Sequence, residues 1–169
     1  SRWCIGSAGP IALKADYRDL PIPANSIDLV VLPHVLAFTA SHYRYWQERL
    51  GVPADSWPWA FWGENITLTG LDENQLAVGD RVRIGAALLE ITSPRTPCFK
   101  LSWRLGQPDS FLKELVRTGL CGIYLRVIEP ADIHVGDPVV VERARRTIAS
   151  VGDVARMRGG RFDPQDQTL

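Results

Sequence analysis

Between Gly63 and Glu142, glycines and prolines cut the chain into short apolar runs. Many short strands joined by Gly/Pro turns argue for a sandwich or barrel. Arg81-Val82-Arg83-Ile84 alternates polar and apolar residues, the period of a half-buried strand. Gly85-Ala86 turns, and Ala87 to Thr92 forms the next strand. Gly122 to Ile128 and Val139-Val140-Val141 supply two more. Val78-Gly79-Asp80 and Val135-Gly136-Asp137 each precede a strand and read as two similar hairpin entries of a small barrel. Pro108 to Arg117 predicts a helix, with Phe111, Leu112, Leu115 and Val116 as its buried stripe and Gly119 as its stop. Phe99 to Trp103 fits an extended segment or a short helix.

The first forty residues read differently. Turn-rich Leu20 to Ser26 leads into Ile27-Asp28-Leu29-Val30-Val31-Leu32, a near-continuous apolar run ended by Pro33. Such runs suit strands covered on both faces. From Ser41 a helix is expected, capped by Ser41, with Tyr43, Trp46 and Leu50 on its apolar face. Gly51 and Pro53 end it, and Ser56 to Trp62 is a Trp-rich loop. Residues 143–169 carry six arginines and Gly159-Gly160, and read as a solvated, partly disordered tail. A phosphate-binding or acidic-partner role for that tail is the alternative.

A chain of 169 residues suits one domain with an appendage. Nineteen Lys plus Arg balance nineteen Asp plus Glu, which argues against a dedicated nucleic-acid binder. No apolar stretch approaches the ~18 residues of a membrane span; the best, Leu29 to Phe38, is interrupted by Pro33 and His34. No secretory leader is visible, and the opening at Ser1 is expected of a processed or trimmed chain. Cys4, Cys98 and Cys121 are odd in number and lack CxxC spacing, so a reducing, cytoplasmic setting is expected. His34, His42 and His134 lack metal-ligand spacing, and no nucleophile elbow, phosphate loop or HExxH is present.

Chemistry concentrates at Pro94-Arg95-Thr96-Pro97-Cys98-Phe99-Lys100. Two prolines fix φ on either side of Thr96, so the loop holds one shape. Arg95 and Lys100 set positive charge near the Cys98 thiol, which favours the thiolate. A thiolate serves as nucleophile or soft-metal ligand. The alternative is a buried small hydrophobe beside Phe99 and Leu101. Cys121, at the entry to an apolar strand, reads as core.

The series Gly63-Glu64-Asn65-Ile66, Thr69-Gly70-Leu71, Gly79-Asp80, Gly85, Pro94-Arg95-Thr96-Pro97-Cys98, then Gly119, Gly122 and Tyr124 resembles the MOSC domain, the C-terminal domain of molybdenum cofactor sulfurases. Tyr43-Arg44-Tyr45-Trp46 fits the stand-alone bacterial members, similar to the 6-hydroxylaminopurine resistance proteins. The resemblance covers about residues 42–142. It implies a mostly β, MOSC-like barrel with short helices, and a pterin-based molybdenum cofactor with Cys98 as the expected metal ligand. It further implies Arg95 and Lys100 as contacts to the cofactor phosphate or pterin, with Glu64 and Asn65 near the pocket. Glu64 and Asn65 equally suit a structural turn. The implied activity is reduction of N-hydroxylated bases and related compounds, with electrons from a partner redox protein.

Family members carry a His-Gly-Gly-Pro-Asp-like motif ahead of the Tyr-x-x-Trp helix, and this sequence lacks it. Ala15-Asp16, Leu20-Pro21 and Ser26 to Leu36 instead resemble the middle of a class I S-adenosylmethionine-dependent methyltransferase. A chimera joined near Ala40 is expected, natural or recombinant, with residues 1–40 supplying a strand to a truncated barrel over 41–142. Pairing of that strand between chains would give a homodimer or strand-swapped oligomer. The contrasting possibility is a chimeric fold without retained activity.

Overall fold

A computed structural model describes residues 34–145 and 149–160. The first strand, β1 (Val35–Thr39), has all five residues buried and runs directly into helix α1 (Ala40–Leu50). Strand β2 (Ile66–Leu68) then lies parallel to β1, with Ala37 opposite Ile66 and Thr39 opposite Leu68. Parallel strands need a crossover, and α1 with the loop after it provides one. The apolar run expected to form a strand, Ile27 to Leu32, lies outside the described residues. Among the described residues, the first strand of the sheet is the segment just after Pro33.

The remaining strands are β3 (Arg81–Ile84), β4 (Ala87–Pro94), β5 (Ile123–Glu129) and β6 (Val139–Glu142). The order across the sheet is β2-β1-β5-β4-β3-β6, antiparallel except for β1 and β2. Register shifts between β4 and β5, at Leu88/Leu89 and Ile91/Ser93, add local twist. Among the described residues the result is a mixed half-barrel with β2 and β6 as edges, rather than a closed barrel. Helices occupy about as much of the described chain as strands do, so "mostly β" overstates the strand content.

The two Val-Gly-Asp phrases build the same turn. Asp80 N–H donates to Ala77 O (3.1 Å), and Asp80 Oδ2 accepts from Ala77 N (3.0 Å). Asp137 N–H donates to His134 O (3.2 Å), and Asp137 Oδ2 accepts from His134 N (2.7 Å). Gly79 and Gly136 both take φ near +90°, which a side chain would resist (94° and 89°). The strands they introduce, β3 and β6, pair with each other.

Helix α1 starts at Ala40 rather than being capped by Ser41, because Thr39 is still extended in β1. Gly51 ends it in the left-handed region as expected. Phe99–Arg104 is a short helix, α2, and Ser110–Thr118 is α3, stopped by Gly119 at φ 76°. The tail reading needs correction. Val151–Arg158 forms α4, with Val151 and Ala155 buried, and α4 packs against α3. Ser150 and Asp153 make a reciprocal capping box that fixes its start.

Two apolar clusters result. One is built on the strands of the sheet, with Ile66, Leu68, Val82, Ile84, Leu89, Ile91 and Leu125 among its buried residues. The other is aromatic: Phe38, Tyr43, Trp46, Trp62 and Phe111 pack between α1, α3 and the Trp-rich loop. Trp62 stacks on Phe38 with centroids 5.0 Å apart. This second cluster carries the platform on which Cys98 is presented.

Candidate functional site

Strand β4 ends at Pro94 and α2 begins at Phe99, so only residues 95–98 link them. The link is tied down at its first residue. Arg95 N–H donates to Gly122 O (2.8 Å), and the Cys121 thiol lies 3.6 Å from Arg95 O. The Arg95 guanidinium turns inward, and its Nη1 donates to Trp62 O (2.8 Å). Burial pushes the Arg95 pKa below arginine's ordinary value, partly offset by Tyr124 and Glu64. A guanidinium starts so high that it stays charged.

Cys98 is exposed rather than packed beside Phe99 and Leu101. It opens onto a cavity of about 1010 Å³ whose lining includes Trp62, Gly63, Arg95, Lys100 and Trp103. Helix α2 forms one wall and is firmly seated. Leu101 is buried, and Ser102 Oγ donates to Asp109 Oδ1 (2.6 Å). Arg104 lies over the Phe61 ring (5.0 Å), which stacks on Trp57 (4.9 Å). The lining therefore carries three cations, Arg95, Lys100 and Arg104, and one acid, Asp109, already engaged by Ser102.

Glu64 and Asn65 do not line this cavity. Glu64 is wholly buried behind Gly63. Its Oε1 accepts from the Tyr43 hydroxyl, from Thr67 Oγ1 (2.8 Å) and from Ala60 N (3.1 Å), while Oε2 has no hydrogen-bond partner among the described residues. Burial and the adjacent carboxylate push the Tyr43 pKa well above the ordinary phenol range. Asn65 clips β1: its N–H donates to Leu36 O and its Oδ1 accepts from Leu36 N, both at 2.8 Å. Both residues thus hold the turn that delivers Trp62 and Gly63 to the cavity wall. Of the five site residues read from sequence, the fold brings Arg95, Cys98 and Lys100 together, with Glu64 and Asn65 behind the wall.

A second buried pair has no signal in the linear sequence. Glu73 accepts from Gly122 N through both oxygens (3.1 and 3.2 Å) and lies 3.2 Å from His42 Nδ1. Cys121 sits beside it, buried as expected of a core cysteine, and burial with Glu73 pushes its thiol up to about 12. A thiol in that state is a poor nucleophile. The two described cysteines therefore differ sharply in setting. Trp103 and Arg104 were equally invisible, because a helix of six residues gives too little periodicity to assign faces.

The MOSC domain matches residues 32–140. The chain belongs to the MOSC domain family. The match begins ahead of the expected junction near Ala40, and β1 is a paired strand of the domain's sheet. Protein YflK of Bacillus subtilis, itself uncharacterized, is 36% identical over 60% of this chain and 44% of its own length. Protein YiiM of Escherichia coli is 30% identical over 60% of this chain and 45% of its own. A protein named Reductase from Gibberella moniliformis is 32% identical over 72% of this chain and 22% of its own. The chain thus spans less than half of these curated relatives. Among solved structures, YiiM from Geobacillus stearothermophilus superposes with a TM-score of 0.66 at 33% identity, covering 74% of this chain and 62% of that one. No helix among the described residues is long and apolar enough to cross a membrane.

Proposed function

We propose that the cavity beside Cys98 binds a pterin-based molybdenum cofactor, with the Cys98 thiolate as the protein's ligand to the metal. The observation that carries this reading is an exposed sulfur at the mouth of a cationic, aromatic-walled cavity. Among the described residues no cluster of three or more His, Cys, Asp or Glu could enclose an ion. A single soft donor suits a metal that arrives already chelated by its own organic ligand. Arg95 and Lys100 supply donors for the cofactor's phosphate or pterin. Glu64 and Asn65 act from behind, by holding Trp62 and Gly63 in place.

When bound, such a cofactor supplies two-electron oxygen-atom chemistry. The chain's residues do the rest: Cys98 anchors, Arg95 and Lys100 neutralise and orient, and the aromatic wall keeps water off one side. The fitting activity is reduction of N-hydroxylated compounds, with electrons from a separate redox protein in a reducing, cytoplasmic setting. Any junction with a methyltransferase-like segment would fall before residue 32, where the family match begins, rather than near Ala40.

The test is expression in a host that makes the cofactor, followed by elemental analysis of the purified protein. Wild type should carry molybdenum close to one per chain, and Cys98→Ser should lose most of it. Equal and negligible metal in both would end the proposal.

A further inference from the structure

Glu73 is 1% exposed, and both of its oxygens converge on a single backbone donor, Gly122 N (3.1 and 3.2 Å). His42 Nδ1 lies 3.2 Å from Oε1, and the His42 ring stands edge-on to Phe38 (5.5 Å), so helix α1 backs the carboxylate. Taking a carboxylate out of water is costly, and an apolar side chain of similar volume often serves stability as well or better. Fold stability alone is therefore a poor reason for an acid at this place. Glu73 does not line the cavity beside Cys98. What it reaches is the corner from which the Cys98 link hangs.

Gly122 stands just ahead of β5, and a Cβ on it would meet Ala37 O at 3.0 Å, so it has little room to shift toward β1. Its N–H is held by Glu73, and its carbonyl oxygen takes the Arg95 N–H (2.8 Å). That bond lies one residue past Pro94, which pairs with Ile123. Cys121 grips the other side of the same residue, its sulfur 3.6 Å from Arg95 O. The Cys121-Gly122 corner thus fixes both the N–H and the carbonyl of Arg95, and Glu73 fixes the corner. The far end of the link is held separately, by buried Leu101 and by Ser102 on Asp109. The Arg95 guanidinium lines the cavity with Cys98 and is close enough to it to interact electrostatically. We propose that Glu73 is a positioning residue for Cys98: through Gly122 it sets Arg95, and with it the cationic field in which the sulfur stands. The action runs through the backbone, so it depends on the reach of the side chain rather than on its charge. What the positioning serves rests on the cofactor reading above; the positioning itself does not.

Paired alkylation rates of Cys98 in the full chain, expressed without the cofactor, test this. Iodoacetate and iodoacetamide are the anionic and neutral probes, and peptide mass mapping reads Cys98 apart from the other cysteines. Both reagents react with the thiolate, so the thiolate fraction cancels in the ratio of rates and the ratio reports the local field. Glu73→Asp keeps the charge but stops one carbon short of Gly122, and should lower the iodoacetate-to-iodoacetamide ratio about threefold. Glu73→Gln loses the charge but keeps an acceptor within reach, and should hold the wild-type ratio. Gly122→Ala disturbs the same corner without touching the carboxylate and should lower the ratio likewise, which keeps the test open if the aspartate variant does not fold. Asp80→Ala removes another buried carboxylate that accepts backbone N–H groups, at the start of β3, and should melt earlier with the ratio unchanged. An unchanged ratio in Glu73→Asp or Gly122→Ala would leave Glu73 a fold-holding residue and overturn the proposal. So would a ratio that rises in Glu73→Gln, the mark of a charge effect. Molybdenum enters none of these rates, so a failed metal assay and a failed rate ratio remain separate results.

Discussion

Asp80 shows how one side chain can close a small sheet. Its carboxylate is buried at the start of β3 and accepts from Ala77 N, Ala144 N (2.8 Å) and Arg143 Nη1 (2.8 Å). Burial alone would raise its pKa, but these donors outweigh burial, and the net shift is downward. The stabilisation is therefore present above the ordinary carboxylate range and is lost as pH falls through the lowered value. Asp80→Ala should cost about 2–4 kcal/mol in urea unfolding at neutral pH, through two or more lost charge-assisted bonds. The gap between variant and wild type should shrink below about pH 4. Gly122 gives a second test. It takes φ 96°, and a Cβ there would lie 3.0 Å from Ala37 O and 3.1 Å from the Phe38 ring. Gly122→Ala should therefore lower the melting temperature by several degrees, with a cost of about 2 kcal/mol. At this scale the sequence spoke unevenly. Fixed charges beside Cys98 can be read along the chain, because they are its near neighbours. Glu73 and His42 cannot, because 31 positions separate residues that only the fold brings together.

Among the elements, β3 is legible because its alternation of exposed and buried residues is local. So is the end of α3, where Gly119 takes the left-handed conformation that a stop requires. Helix α4 was hidden by its arginines, which lead the eye to a solvated tail. Yet Arg156 Nη1 donates to Asn74 Oδ1 (2.9 Å) and Arg117 Nε donates to Gly159 O (3.1 Å), so charge here serves packing. The overlooked sign was Ser150-x-x-Asp153. Ser150→Ala should cost about 1 kcal/mol, read by chemical denaturation. Hydrogen bonding from Ser150, then Arg156, holds the Asp153 pKa below its ordinary range. The cap should accordingly weaken as pH drops below about 4. Pro33 marks a boundary, and β1, which the sequence reading did not separate out, begins just after it; the apolar run before it lies outside the described residues.

Among the described residues the half-barrel keeps two sheet edges, β2 and β6, and one face crossed by ion pairs. Arg126 pairs with Glu90 (2.6 Å), and Arg83 bridges Glu129 and Glu142 (3.2 Å each). These pairs are exposed and contribute little each, but they discourage wrong strand pairing on that face. Family membership was readable from the order of its turn motifs, since turns demand particular residues at fixed places. Openness of the barrel was not, because closure depends on tilt and pairing across the whole sheet. If the segment before β1 covers an edge, a chain beginning at residue 32 should melt at lower temperature and elute with an altered oligomeric state. Unchanged melting and elution would leave the edge to be protected by its own shortness and charge.

The four-residue link between β4 and α2 fixes a length as well as a shape. One end is sewn to the central sheet at Gly122, and the other opens into the helix that bears Phe99 and Trp103. The sulfur and the two rings therefore share one ruler. Any insertion there would slide the Cys98 sulfur out of step with the wall that α2 builds, while leaving the rest of the molecule intact.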